Sequence, residues 1–211
     1  MPGKQNEATA SAEPAWTNAA SDVELVNLSL KNAEHFGKLV ERYEKKLLRY
    51  IMYFAGVSRE MAEDILQETM INVYRNLNSF NQKMKFSSWI YRIAHNQTLN
   101  TLRAEKNRTS VSLESEDEES VSLIKVLASE ENLVTMVEQK VLGEKVGEML
   151  NLMRKDFREV LVLRFLDDYD YAEISDILRK PIGTIGVMIA RAKEEFKNLA
   201  IKYNLLGYEQ D

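Results

Sequence analysis

From Asp22 to Asn107 the apolar residues keep helical spacing. Leu39, Val40, Tyr43, Leu47, Tyr50, Ile51 and Phe54 recur every three or four positions, which lines them along one side of a 3.6-residue helix. A stripe of that width must be buried against other helices. Little interrupts the pattern, because 211 residues contain only three prolines and eight glycines. No strand pattern of useful length and no internal repeat occurs. Gly56-Val57-Ser58 breaks the first long helix, and Ser58 can cap the next. That helix runs to about Leu77, with Met61, Ala62, Ile65, Leu66, Met70, Val73, Tyr74 and Leu77 as its core face. A polar loop, 78–85, precedes a further helix that Ser87 or Ser88 can cap and that reaches about Lys106.

Composition separates the helical blocks. Residues 83–108 hold six Lys/Arg against Glu105, whereas 111–132 hold seven acids against Lys125, so a segment of +5 is followed at once by one of −6. The acidic stretch, with Glu114, Glu116, Asp117, Glu118 and Glu119 among serines, reads as a linker. Residues 1–21, with Pro2, Gly3 and Pro14, read as a disordered tail in which Trp16 alone could dock. The expected architecture is therefore all-α. Two small helical domains, 22–108 and 133–206, are joined by an acidic flexible linker at 109–132.

Several functions are disfavoured. With no cysteine there are no disulfides, thiolate metal sites or cysteine nucleophiles, and two histidines, His35 and His95, make a poor zinc site. His95 reads as a packing or hydrogen-bonding residue. No cluster of acid, base, nucleophile or phosphate-cradling glycines is present, so neither an enzyme nor a cofactor is expected. No apolar run approaches the roughly 20 residues that span a bilayer, and the N-terminus lacks signal-peptide order. A cytoplasmic protein without membrane insertion is expected.

The C-terminal block contains a helix-turn-helix pattern. Asp170-Tyr171-Ala172-Glu173 fits a capping box. The helix it opens offers Ala172, Ile174, Ile177 and Leu178 for packing and closes at Arg179-Lys180. Pro181 suits the first turn of a second helix running to about Leu199. Arg179, Lys180, Arg191 and Lys193 supply cations for phosphates with no acid between them. A plain helical hairpin with a solvated basic face also fits this segment.

Two stripes stand out in the N-terminal block. Asp64, Gln67, Glu68, Ile71 and Arg75 share one face of their helix, a polar surface with an apolar residue inside it that suits a protein partner. Trp89, Arg92, Asn96, Asn100 and Arg103 form another, preceded by Phe80, Asn81, Lys83, Lys85 and Phe86. Aromatics stack on unpaired bases, amides bond base edges and cations hold phosphates, so this surface suits opened DNA. A solvated helix face and a half-buried Trp with snorkelling cations are the plainer alternatives.

Three stretches together resemble one family. AEDILQETMINVYRNLNSF at 62–80 resembles the sigma-factor helix that grips the clamp of the largest RNA polymerase subunit. FSSWIYRIAHNQTLNTLR at 86–103 resembles the helix that engages and helps melt the −10 promoter element. Residues 156–196, from DFREVLVLRFLDDYDYAEISDIL through RKPIGTIGVMIARAKEEF, resemble the domain that reads the −35 element. The short acidic linker in place of a large middle domain resembles the extracytoplasmic-function class of the sigma-70 family. The resemblance implies a transcription initiation factor that binds core RNA polymerase and promoter DNA and is held inactive by an anti-sigma factor. It implies core binding by Asp64, Gln67, Glu68, Ile71 and Asn72, and −10 binding by Asn78, Phe80, Asn81, Lys83, Lys85, Trp89, Arg92, Asn96, Asn100 and Arg103. On the −35 side it implies Arg164, Arg179, Lys180, Thr184, Val187, Arg191 and Lys193. It also implies that the linker occupies a basic RNA path of the polymerase as a nucleic-acid mimic.

One departure concerns the reading helix. Members of the family often have Lys-Ser-Arg after the Gly-Thr-hydrophobic triplet, but Gly186-Val187-Met188 follows Gly183-Thr184-Ile185 here. Val187 can still touch a thymine methyl, and DNA shape can supply part of the readout. Two rivals compete with this reading. A stand-alone helix-turn-helix activator accounts for 156–196 alone, and a helical interaction protein predicts no specific DNA binding.

Overall fold

The computed structural model describes residues 20–111, 143 and 145–203, which are helical throughout apart from short turns and contain no strand. Helix α1 (Asp22–Lys31) opens with a capping box. Ser21 Oγ accepts from the Glu24 amide at 3.3 Å, and the Glu24 carboxylate accepts from the Ser21 amide at 2.7 Å. Residues 20 and 21 thus take part in the fold, and Arg42 ties them to α2 by donating to the Ala20 carbonyl at 2.9 Å. Trp16 and the rest of 1–19 lie outside the described residues.

Helix α2 (Phe36–Ala55) carries the long apolar stripe and ends at Gly56, which adopts φ 65 as a left-handed C-cap. Helix α3 (Arg59–Arg75) starts where Ser58 accepts from the Met61 amide, as the sequence suggests. It ends two residues early because the Asn76 side chain donates to the Asn72 carbonyl, and a 3-10 turn (Leu77–Ser79) follows. Helix α4 (Phe86–Val111) begins at Phe86, so Ser87 and Ser88 lie inside it rather than capping it. It extends past Lys106 to Val111, into the first residues of the expected linker; the acidic run beyond lies outside the described residues.

Leu39, Leu47, Ile51, Ile65, Val73 and Ile90 centre the core of this unit. Thr69 and Thr98 are buried with them. Each hydroxyl donates to the carbonyl four residues back, at 2.7 and 2.8 Å, which satisfies its polarity without a tertiary partner.

The C-terminal unit holds α5 (145–152), α6 (Lys155–Leu161), a π-helical turn (Val162–Leu166), α7 (Tyr171–Leu178) and α8 (Ile182–Lys202). Pro181 is the N-cap of α8, not its first helical residue, and α8 runs beyond Leu199. Val160, Leu163, Ile174, Ile177, Ile185 and Ile189 fill its core. Ala172, expected to pack, is exposed, because the helix it shares is buried through Ile174, Ile177 and Leu178. The two units meet face to face, α2 against α6 and α4 against α7.

Candidate nucleic-acid interface

Helix α3 presents Asp64, Gln67, Glu68 and Ile71 to solvent on one stripe. Ile71 is 41% exposed, and Tyr74, one turn on, is 46% exposed. The periodicity predicts Tyr74 in the core. Its ring instead packs on Phe36 at 5.1 Å by one side only and leaves the other open, which adds an aromatic to the same apolar spot. Asn72 is half-buried, and its amide donates to Gln97 at 3.0 Å, tying α3 to α4.

The loop between those helices is built by its own polar groups. Ser79 donates to the Asn76 carbonyl, and Asn81 accepts from the Lys83 amide at 3.0 Å, an Asx-type turn. Asn78, Asn81 and Lys83 are consequently exposed side by side. Phe80 is not available with them. It is only 8% exposed and packs against Phe86 and Trp89, each at 5.3 Å, so it forms the floor under Trp89 rather than a contact surface. A large apolar ring beside two others gains more from burial than from water. Trp89 is half-buried on that floor.

Beyond Trp89 the α4 stripe divides. Asn96, Asn100 and Arg103 are exposed in succession, with Arg103 donating to the Asn100 side-chain oxygen Oδ1 at 3.5 Å. Arg92 instead donates from Nε to the Asp176 carbonyl on α7 at 2.7 Å, and Lys85 pairs with Glu173 at 2.9 Å. The Glu173 carboxylate raises the Lys85 ammonium, whereas burial, and then Arg179 nearby, lower the Arg92 guanidinium.

The helix-turn-helix follows the sequence reading closely. Asp170 and Glu173 form both bonds of the capping box, at 2.8 and 2.9 Å. Arg179 ends α7 in the left-handed region, φ 52, and Ser175 donates to the Lys180 carbonyl to close the turn. Arg179 and Lys180 are exposed there. On α8, Thr184, Val187 and Arg191 are exposed at spacings of three and four, one face of the helix. Gly186 sits where α7 crosses, with Tyr171 3.8 Å from the place a Cβ would occupy.

Lys193 is exposed but belongs elsewhere. With Val146, Leu150, Val162, Phe165 and Phe196 it lines an apolar cleft of about 280 Å³ between α5, α6 and α8. Arg164 is half-buried, donating to the Tyr169 carbonyl at 3.1 Å and pairing with Asp168 at 3.6 Å, with its guanidinium over the Tyr171 ring.

A set of polar residues, with Tyr50, Arg158 and Glu159 buried among them, joins the two units, and of these the sequence analysis assigns a hydrogen-bonding role to His95 alone. The Glu159 carboxylate, on α6, accepts from Tyr50 of α2 at 2.5 Å and lies 2.6 Å from Nδ1 of His95 on α4. Phe54 stacks on the His95 ring. Burial and Glu159 push the Tyr50 phenol well above its ordinary value. Arg49 pairs with Asp167, and burial raises the Asp167 carboxyl in spite of that pairing. Arg158, 3% exposed, donates to Asn151 and presses on Gly56, where a Cβ would lie 2.9 Å from its Nη1; burial lowers this guanidinium. The sequence signal is a charged Arg158-Glu159 pair inside an apolar run, which suggests burial against a partner surface but not which one.

Comparison with known proteins gives this geometry a family. Residues 39–108 match the family Sigma-70 region 2, and residues 143–196 match Sigma-70, region 4. The chain is 30% identical over 166 residues to the ECF RNA polymerase sigma factor SigW of Bacillus subtilis, covering 77% of this chain and 87% of that one. It is 34% identical over 167 residues to the ECF RNA polymerase sigma-E factor of Escherichia coli strain K12, covering 77% and 85%. Two solved structures share the fold. The sigma factor RpoE in complex with the anti-sigma factor NepR from Bartonella quintana gives a TM-score of 0.59 at 17% identity, over 78% of this chain and 95% of that one. CnrH in complex with the cytosolic domain of CnrY gives 0.57 at 19%, over 84% and 96%. Among the described residues no helix is long and apolar enough to cross a membrane. With both sigma-70 modules in order on an all-α, two-domain chain, and relatives of this identity along most of its length, the protein belongs to the extracytoplasmic-function class of sigma-70 family transcription initiation factors.

Proposed function

We propose that the chain binds core RNA polymerase through α3 and reads promoter DNA with two separate surfaces. The α3 stripe of Asp64, Gln67, Glu68 and Ile71, with Asn72 bracing it, docks on the polymerase, and Tyr74 extends its apolar spot. Asn78, Asn81, Lys83, Trp89, Arg92, Asn96, Asn100 and Arg103 take the −10 strand once it is unpaired. Phe80 serves that surface from beneath. Thr184, Val187 and Arg191 face the −35 duplex, with Arg179 and Lys180 at the turn. Arg164 holds the loop that positions α7.

The observation that supports this most is the row Asn96, Asn100 and Arg103, exposed on one stripe of the helix that follows the turn bearing exposed Asn78, Asn81 and Lys83. Amides and cations in line offer bonds to base edges and phosphates of a single strand. The polymerase supplies the chemistry, and this chain supplies recognition. An anti-sigma factor is proposed as a further partner, as found for RpoE with NepR. The acidic linker is proposed to fill a basic path in the polymerase; neutralising Glu114, Glu116, Asp117, Glu118 and Glu119 should then change abortive synthesis and promoter escape.

The test separates the two surfaces. Asn96, Asn100 and Arg103 replaced by Ala should abolish promoter opening, read by permanganate reactivity of −10 thymines, while the closed polymerase–promoter complex still forms. Arg191→Ala should weaken closed-complex binding and reduce its salt slope by about 1. Unchanged opening in the first variant contradicts the −10 assignment.

A further inference from the structure

We infer that α8 reads the −35 duplex through the C5-methyl groups of its pyrimidines, with Gly183, Val187 and Ala190 as the line that meets the bases and Thr184 beside it. This rests on the assignment of α8 to −35 duplex DNA and names what the helix recognises there.

Ile185, Ile189 and Ala192 bury one side of α8 in the C-terminal unit. Opposite them, Gly183, Val187, Ala190 and Glu194 are exposed at spacings of four, three and four, which places them on one line. Val187 is 52% exposed, and a Cβ added to Gly183 would meet nothing within 4 Å, so the line stands clear of the protein. Thr184 and Arg191 flank it. Ile182, also exposed, adds apolar surface at the N-terminal end, the part of a reading helix that meets base edges. From Ile182 to Ala190, Thr184 is the only exposed side chain with a hydroxyl, amide or charge.

Such a face has almost nothing to offer the donors and acceptors of the major groove. It does suit the one apolar group there, the thymine methyl, against which Ala, Val and the methyl of Thr all pack. A base pair covered by the line gives up water at its edge atoms and receives no hydrogen bond in return. Only a pair with a C5-methyl recovers apolar contact, so thymines are favoured over G·C pairs. Gly183 lets the backbone itself come close to the groove floor. Glu194 ends the apolar line with a negative charge, which keeps the C-terminal half of α8 away from phosphates. Arg179, Lys180 and Arg191 hold phosphates and add affinity that carries no sequence information.

The experiment uses holoenzyme made from the full chain and core polymerase. Duplex pools are randomised over the upstream half, and the constant downstream half comes from a start site mapped with the same holoenzyme. In the randomised half the first pool carries thymidine and the second carries deoxyuridine in its place. The third carries deoxyuridine together with 5-methyldeoxycytidine in place of deoxycytidine. The first pool should yield an upstream element with thymines at fixed positions. Changing those thymines to deoxyuridine, which keeps every hydrogen bond and lacks only the methyl, should weaken closed-complex binding about fourfold for each contacted base. The third pool should move the preference to methylated cytosines. Val187→Ala should erase the preference at one position and keep it at the others, with helical circular dichroism unchanged. Arg191→Ala should weaken the thymine and uracil forms by the same factor, because a phosphate contact does not sense the methyl. Equal affinity for the two forms, or a third pool that ignores methylated cytosines, overturns the methyl readout. If Arg191→Ala still weakens both forms, the assignment of α8 to the −35 duplex stands without it. If Arg191→Ala weakens neither, that assignment itself has failed.

Discussion

Nδ1 of His95 lies 2.6 Å from the carboxylate of Glu159, 64 residues further along the chain, and the same oxygen accepts from Tyr50. One acid thus satisfies two buried polar groups from two other helices. Glu159→Ala should lower unfolding free energy by about 2–3 kcal/mol, because Tyr50 and His95 are left without their acceptor. Glu159→Gln keeps an acceptor and should cost about 1 kcal/mol. Urea denaturation followed by circular dichroism measures both, and equal effects of the two substitutions would contradict this role.

Gly186 and Gly56 should respond in opposite directions. Gly186 lies inside α8, and a Cβ added there would meet Tyr171 at an ordinary 3.8 Å. Gly186→Ala should therefore stabilise by about 0.5–1 kcal/mol. Gly56 adopts φ 65, and a Cβ on it would face Arg158 at 2.9 Å, so Gly56→Ala should destabilise by about 1–2 kcal/mol. Thermal unfolding of the two variants shows whether the signs differ.

The buried tyrosines set an alkaline limit. Burial raises the phenols of Tyr43, Tyr50, Tyr53, Tyr91 and Tyr169 above their ordinary value of 10.0. They stay neutral in the folded chain but ionise in the unfolded chain near pH 10, so above that pH the folded state binds more protons. Their contribution is full below about pH 10 and is lost as pH rises beyond it. The denaturation midpoint should fall above about pH 10, and tyrosinate absorbance from these residues should rise together with unfolding.

The α3 stripe predicts a loss of binding without a loss of fold. Asp64→Lys with Glu68→Lys should weaken affinity for core polymerase at least tenfold, about 1.4 kcal/mol. Both side chains are exposed, so stability should stay within about 0.5 kcal/mol. Fluorescence titration of labelled protein with core, beside urea denaturation, separates the two effects.

The helices and their caps are legible because they are local. Ser58 and the Asp170–Glu173 box announce their helices within four residues, and the apolar stripe of α2 needs only a period. Buried Thr69 and Thr98 are not legible, since a hydroxyl bonded to its own helix looks polar in sequence and behaves as apolar in the core. Phe80 defeats the sequence reading because an aromatic next to a DNA-facing turn can serve as floor or surface, and only the ring packing with Phe86 and Trp89 decides. Lys193 follows Arg191 by two residues, which on a helix turns it to a different side. The contact between the two units joins Arg49 to Asp167 across 118 positions and His95 to Glu159 across 64, and no local pattern encodes such pairings.

The most direct test of the initiation role is to map RNA 5′ ends made by sigma-free core polymerase on fragmented genomic DNA with and without the purified chain. New starts should appear with the chain present, sharing two upstream elements at a fixed spacing. Binding to core without new starts, or no binding to core, would contradict the account.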